Sequence, residues 1–257
     1  MIKRQQLESI ISLNKEIHEE ISSIVERDLA VYSQDGINIA ESVALHLNEK
    51  CEFIQIPLED KKIGGLMIKK GNNFYCMINT AQPRAFQNFV YLHEFYHLHH
   101  HAEEKIHLIQ NSVENETNLD ERKANYYASL MLLNKDILRR QYYYLSKDRD
   151  YDLKTCIYFL MNLFKTTYKT IIIRLYEIKC IEDFALLHDN FSYDFEEASS
   201  KFNALGLDRS IIEPSNTKSV GNIENYIKTV EEKKLMLEDF INLNKEKYYE
   251  IMKKIGE

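Results

Sequence analysis

Apolar residues recur along most of this chain at intervals of three and four, the spacing of helices with one buried face. Leu7, Ile10, Ile11, Leu13, Ile17, Ile21 and Ile24 form one such stripe and predict a single amphipathic helix over 3–27. Its polar positions carry Glu16, Glu19, Glu20 and Glu26 beside few Lys, which suits a core-facing or partner-facing helix and not a membrane-surface one. Asp35-Gly36 marks a turn, 39–47 suggests a second helix, and Phe53-Ile54-Gln55-Ile56 lies in a strand over 52–57. Residues 68–79 read as two strands joined at Gly71-Asn72. A small antiparallel sheet therefore precedes a helix that begins near Pro83, where Pro suits a first turn.

Beyond that helix, 111–118 reads as a loop and 119–133 as a strong helix. Asn134-Lys135-Asp136 breaks it, and a short helix resumes over 137–145. The charged stretch Ser146-Lys147-Asp148-Arg149-Asp150 divides the chain into a 1–150 unit and a mainly helical 151–257 unit. The second unit opens with two short helices, over 152–164 and 168–179, and ends in a Lys/Glu-rich helix over 222–254. Strands followed by a run of helices give an α+β fold.

Composition changes this picture little. Seven Gly, three Pro and no Trp beside 17 Tyr fit a mostly helical chain with few tight turns. A formal charge of −7 argues against broad, nonspecific nucleic-acid binding but leaves room for a local basic patch. Cys51, Cys76, Cys156 and Cys180 form no C-x-x-C pair and read as buried free thiols. The start of the chain lacks the apolar core of a signal peptide, and no apolar run approaches the roughly 20 residues that span a bilayer. A cytoplasmic protein with no membrane partner is expected.

The chemistry is concentrated in His93-Glu94-Phe95-Tyr96-His97, an H-E-x-x-H within a stretch free of Gly and Pro. On a helix, residues four apart lie one above the other, so His93 and His97 can grip one metal ion. Glu94 then lies beside the ion, placed as general base toward a water held there. A catalytic zinc needs a third protein ligand. His101 lies about 12 Å along the axis from His93, too far to share an ion with it. The run His99-His100-His101 reads instead as a polar helix end. The pattern H-E-x-x-H-x-x-G-x-x-H also fails, because His100 and Glu103 occupy its last two fixed positions. A Glu on the following helix is the remaining solution. Glu121 is the best candidate, ahead of Glu116 and Glu114, because Ala124, Asn125 and Ala128 on its face permit close packing against the metal helix. Asn125 would hold the outer ring nitrogen of His93 or His97.

Taken together, Tyr75-Cys76-Met77-Ile78-Asn79, then Arg84-Ala85-Phe86 leading into the H-E-x-x-H, then Glu121-Arg122-Lys123-Ala124-Asn125-Tyr126-Tyr127-Ala128, resemble the ImmA/IrrE metallopeptidases. The resemblance covers about residues 36–180. It implies thermolysin-like metal-binding helices, with His93, His97 and Glu121 as ligands of one Zn²⁺ (or another divalent ion such as Mn²⁺) and Glu94 as general base. It also implies an endopeptidase that cleaves a helix-turn-helix transcriptional repressor of a mobile element or stress response, an anti-repressor role. Two departures stand out: Tyr96 where the family has Gly, and Tyr127 where Phe is common. Residues 160–178 resemble the family's helix-turn-helix. DNA reading by its second helix is the weaker expectation, because Ile171, Ile172, Ile173 and Leu175 demand burial and no dense basic cluster accompanies them. A noncatalytic regulator that binds DNA or protein through 152–180 is the rival to the protease. The group that stabilises the oxyanion stays open among Tyr126, Tyr127, Tyr142, Tyr143, Tyr144 and His188.

Overall fold

The computed structural model describes residues 3–33, 38–100, 106–110, 118–221 and 238–254. The N-terminal stripe folds as two helices, α1 (Arg4–Glu16) and α2 (His18–Tyr32), and not as one. The break falls at Ile17, whose backbone leaves helical geometry at φ −89° and ψ 0°. Its side chain is buried, so the bend lets both halves keep their apolar stripes on the core. Asn38 caps α3 (Ile39–Lys50) by accepting from the Ala40 amide.

Five strands then form one sheet in the order β4-β2-β3-β1-β5. They are β1 (Glu52–Ile56), β2 (Ile63–Lys70), β3 (Asn73–Asn79), β4 (Ile106–Gln110) and the short β5 (Ser219–Val220). The sheet is mixed and not purely antiparallel: β1 runs parallel to β3, and every other pair is antiparallel. The β2–β3 hairpin turns at Gly71, whose φ of +60° favours glycine. Strand β4, which the sequence pattern did not suggest, pairs along the free edge of β2.

The metal-motif helix α4 (Arg84–His100) lies across β2 and β3 and is buried from Phe89 through His97. Its start is fixed by a polar hub. Asn79, at the end of β3 and fully buried, accepts from the Leu58 and Ala81 amides and donates to the carbonyls of Asp60 and Ile63. Gln87 on α4 donates to the carbonyls of Thr80 and Gln82. The far segment joins the same hub, since the Arg84 amide donates to Glu213 and β5 extends the sheet beside β1. Buried polar groups satisfied in this way set one register for α4 on the sheet.

Helix α5 (Leu119–Leu132), capped by Asn118, packs on α4 through Ala124 and Ala128, both fully buried. Small residues at those positions allow the close approach the sequence suggests. Helix α6 (Lys135–Tyr143) continues into a π-helical turn over Tyr144–Asp148. The helix-turn-helix-like pair is α7 (Leu153–Phe164) and α8 (Tyr168–Glu177), joined through Lys165 in the left-handed region. Asn88 of α4 donates to the Lys165 carbonyl at 2.9 Å, tying this pair to the metal-motif helix. Shorter helices α9 (Phe184–Asp189) and α10 (Phe195–Ala204) follow, then α11 (Glu238–Lys254). The first part of the expected terminal helix lies outside the described residues. No described helix is long and apolar enough to cross a membrane.

Candidate metal centre

Consecutive residues of an α-helix point about 100° apart, so α4 presents its motif to two different neighbours. His93 and His97 face α5. Their Nε2 atoms lie 3.0 Å apart, and those of His93 and His97 stand 3.1 and 3.3 Å from the two carboxylate oxygens of Glu121. Both imidazoles are essentially fully buried and Glu121 is nearly so.

These distances fit an ion. A tetrahedral site with ligands at about 2.0–2.1 Å has edges of about 3.3 Å. One ligand atom from each of the three residues lies within 4.8 Å of the others, the one such group among the described residues. The donor set is also the right one, two imidazoles and a carboxylate. Asn125, one turn along α5 from Glu121, places Oδ1 at 3.0 Å from His93 Nδ1. That contact puts the proton on Nδ1 and turns the Nε2 lone pair toward the centre of the triad. Replacing Asn125 by Ala is expected to weaken metal affinity about 10–100-fold, read by competition against a chromophoric chelator. An unchanged affinity would remove Asn125 from the site.

Glu94, turned from the His pair, points toward β2. There Gly65 leaves room for it: a Cβ at Gly65 would lie 2.8 Å from Glu94 Oε1 and 2.5 Å from Val90 Cγ1. The Glu94 carboxylate is fully buried, and neither oxygen has a hydrogen-bond partner among the described residues. Burial first, and then the Glu121 charge, hold it well above the usual carboxylate range. Such a group costs stability and is characteristic of reactive sites. Gly65 itself is a site residue the sequence pattern does not reveal, although a glycine inside a strand is a signal of close approach.

The remaining candidates are placed as follows. Tyr96 does not crowd the triad. Its buried ring packs behind α4 against His100 and Tyr127, with centroids at 4.8 and 5.3 Å. Tyr127 uses its extra hydroxyl to donate to the buried Asp28 of α2 at 2.9 Å. Tyr126 is turned toward α2, where its hydroxyl meets His18 Nδ1 at 2.8 Å. With their hydroxyls engaged there, neither is placed as the oxyanion group. Tyr143, at the end of α6, and Tyr144, in the π-helical turn after it, are exposed. His99 meets His46 of α3 with Nε2 atoms 3.1 Å apart, and His100 approaches Asp28 at 3.8 Å. His101, Glu114 and Glu116 lie outside the described residues. All four cysteines are free, and burial pushes the Cys51 thiol up to about 12.

An H-E-x-x-H helix laid on a mixed sheet and closed by a glutamate from the next helix defines a metallopeptidase-type enzyme. Residues 49–176 match the peptidase M78 family, described as the IrrE N-terminal-like domain, and the chain belongs to these ImmA/IrrE metallopeptidases. No curated protein gives a significant match.

Proposed function

We propose that this protein is a zinc-dependent endopeptidase whose substrate is a helix-turn-helix transcriptional repressor, so that cleavage relieves repression. The observation that carries the reading is the buried Glu94 carboxylate, without a hydrogen-bond partner among the described residues, one residue from a convergent His93–His97–Glu121 triad. When bound, a divalent ion supplies Lewis acidity and acidifies water. The chain's own residues do the rest. His93, His97 and Glu121 hold the ion's position, with Asn125 orienting His93. Glu94 accepts a proton from the attacking water and returns it to the leaving amine. The packed wall formed by Val90 and Gly65 keeps bulk water from Glu94 and so keeps its basicity high.

Zinc is favoured over manganese by the nitrogen-rich donor set and the tetrahedral-scale separations. The substrate class rests on family membership. A DNA-reading role for 152–180 has less support, because six of the ten residues of α8 are buried and Lys169 is its one exposed side chain. Incubating the zinc-loaded chain with helix-turn-helix repressors, any encoded beside it first, should give two fragments from its substrate, resolved by mass spectrometry and abolished by a chelator. An intact repressor beside a hydrolysed generic peptide would overturn the substrate class while keeping the peptidase.

A further inference from the structure

A cavity of about 390 Å³ opens on a different face of α5 from the triad, among α1, α5, α6 and α8. Its walls are basic in an acidic protein. Lys15, Lys135, Arg139, Arg174 and Lys179 line it, with Glu177 as the one carboxylate among its described lining residues. Glu177 is already matched: Oε2 accepts from Arg174 Nη1 at 3.1 Å, and Oε1 accepts from Asn14 Nδ2 at 2.6 Å. Four cations therefore face the cavity with little compensation. Arg139 donates to the Ile178 carbonyl at 3.0 Å, and the carboxylate beside it, Asp136, stands 3.9 Å away on a side chain that is 89% exposed.

Arg174 is the deeply set cation of this wall. Its side chain is only 7% exposed, against 38% for Arg139. Arg174 Nη1 is shared between Glu177 Oε2 at 3.1 Å and the Tyr126 hydroxyl at 3.4 Å, which fixes the guanidinium in the cavity wall, where a planar fork suits oxyanions. Tyr126 and His18, joined at 2.8 Å, add polar groups to the same wall. The volume matches a small-molecule site and exceeds what one ion fills.

We infer that this cavity binds a small oxyanionic molecule, one carrying a phosphate or polycarboxylate group, with Arg174 at its base and Lys15 and Lys135 at its rim. The ligand is not the peptide substrate, since the cavity and the triad lie on different faces of α5. Tyr126 of the cavity wall directly follows Asn125 of the metal site, so the two sites share one helix.

Calorimetric titration of the metal-loaded full chain with inorganic phosphate, against chloride at equal ionic strength, tests this. A one-to-one isotherm is expected, retained in His97→Ala, which excludes phosphate held at the metal. It should weaken tenfold or more in Lys15→Glu/Lys135→Glu, a pair of exposed substitutions that leaves the fold and zinc content intact. Repeating the titration with tricarballylate distinguishes the sources, tighter binding of the polycarboxylate favouring a carboxylate ligand and tighter phosphate a phosphorylated one. No binding of either above the chloride control, or binding unaltered by the charge reversal, overturns the inference.

Discussion

Replacing Glu94 by Gln is expected to lower kcat/KM for peptide cleavage by about 10²–10⁴-fold, with metal content unchanged. The metal-free variant should also melt at a higher temperature than the wild type at neutral pH. Both effects follow from the same environment. The carboxylate is fully buried, lacks partners among the described residues, and feels the Glu121 charge. Its folded-state pKa is therefore raised above the unfolded value. Once pH climbs past the ordinary carboxylate range, the unfolded chain has released a proton that the folded chain still holds. Stability is accordingly lost as pH rises, and at neutral pH ionisable Glu94 is a liability to the fold. Gln is neutral at every pH and nearly isosteric, so the variant loses the general base and the liability together. The stability gain should fade near pH of about 4, where the wild-type carboxyl is protonated in both states. Retained activity would remove Glu94 from the chemistry. A stability equal to wild type at all pH values would mean that the carboxylate is solvated in the metal-free protein.

The triad was legible because helical geometry is local. Two histidines four residues apart must share a face, and Ala124 and Ala128 announce a helix that packs closely enough to bring Glu121 in. Tyr96 and Tyr127 were harder to place, because a bulky aromatic in a motif says nothing about which side has room. The room is on the α2 side, where Asp28 supplies Tyr127 with an acceptor. The sheet was half legible. Alternation marks β1 and β3 as strands, but their parallel pairing depends on β2 folding to the outside of β3, a nonlocal choice that no periodicity encodes. The break at Ile17 is of the same kind: the apolar stripe runs through it, and packing bends the helix without Gly or Pro. Strand β2 begins earlier than alternation suggests because Gly64 and Gly65 carry no side chain to alternate.

Gly65 also supports the largest stability effect expected from one methyl group. In Gly65→Ala the new Cβ would lie 2.5 Å from Val90 Cγ1, 2.8 Å from Glu94 Oε1 and 3.1 Å from the Met77 carbonyl oxygen. None of the three can yield cheaply. Val90 is fully buried and β-branched, so its χ1 is nearly fixed on a helix. Met77 O belongs to the backbone of the strand paired with Gly65's own. The Glu94 carboxylate can move only by leaving its place beside the triad. Overpacking of this kind costs about 1–3 kcal/mol, visible as a lowered denaturation midpoint. A catalytic group displaced by about 1 Å can lose about 10²-fold in rate, so activity should fall well beyond what the unfolded fraction explains. His93 and His97 face α5 and not β2, and metal content in the folded fraction should therefore hold. A Gly65→Ala protein with wild-type midpoint and rate would show that β2 stands farther from Glu94 than these distances require, and would remove the strand from the site.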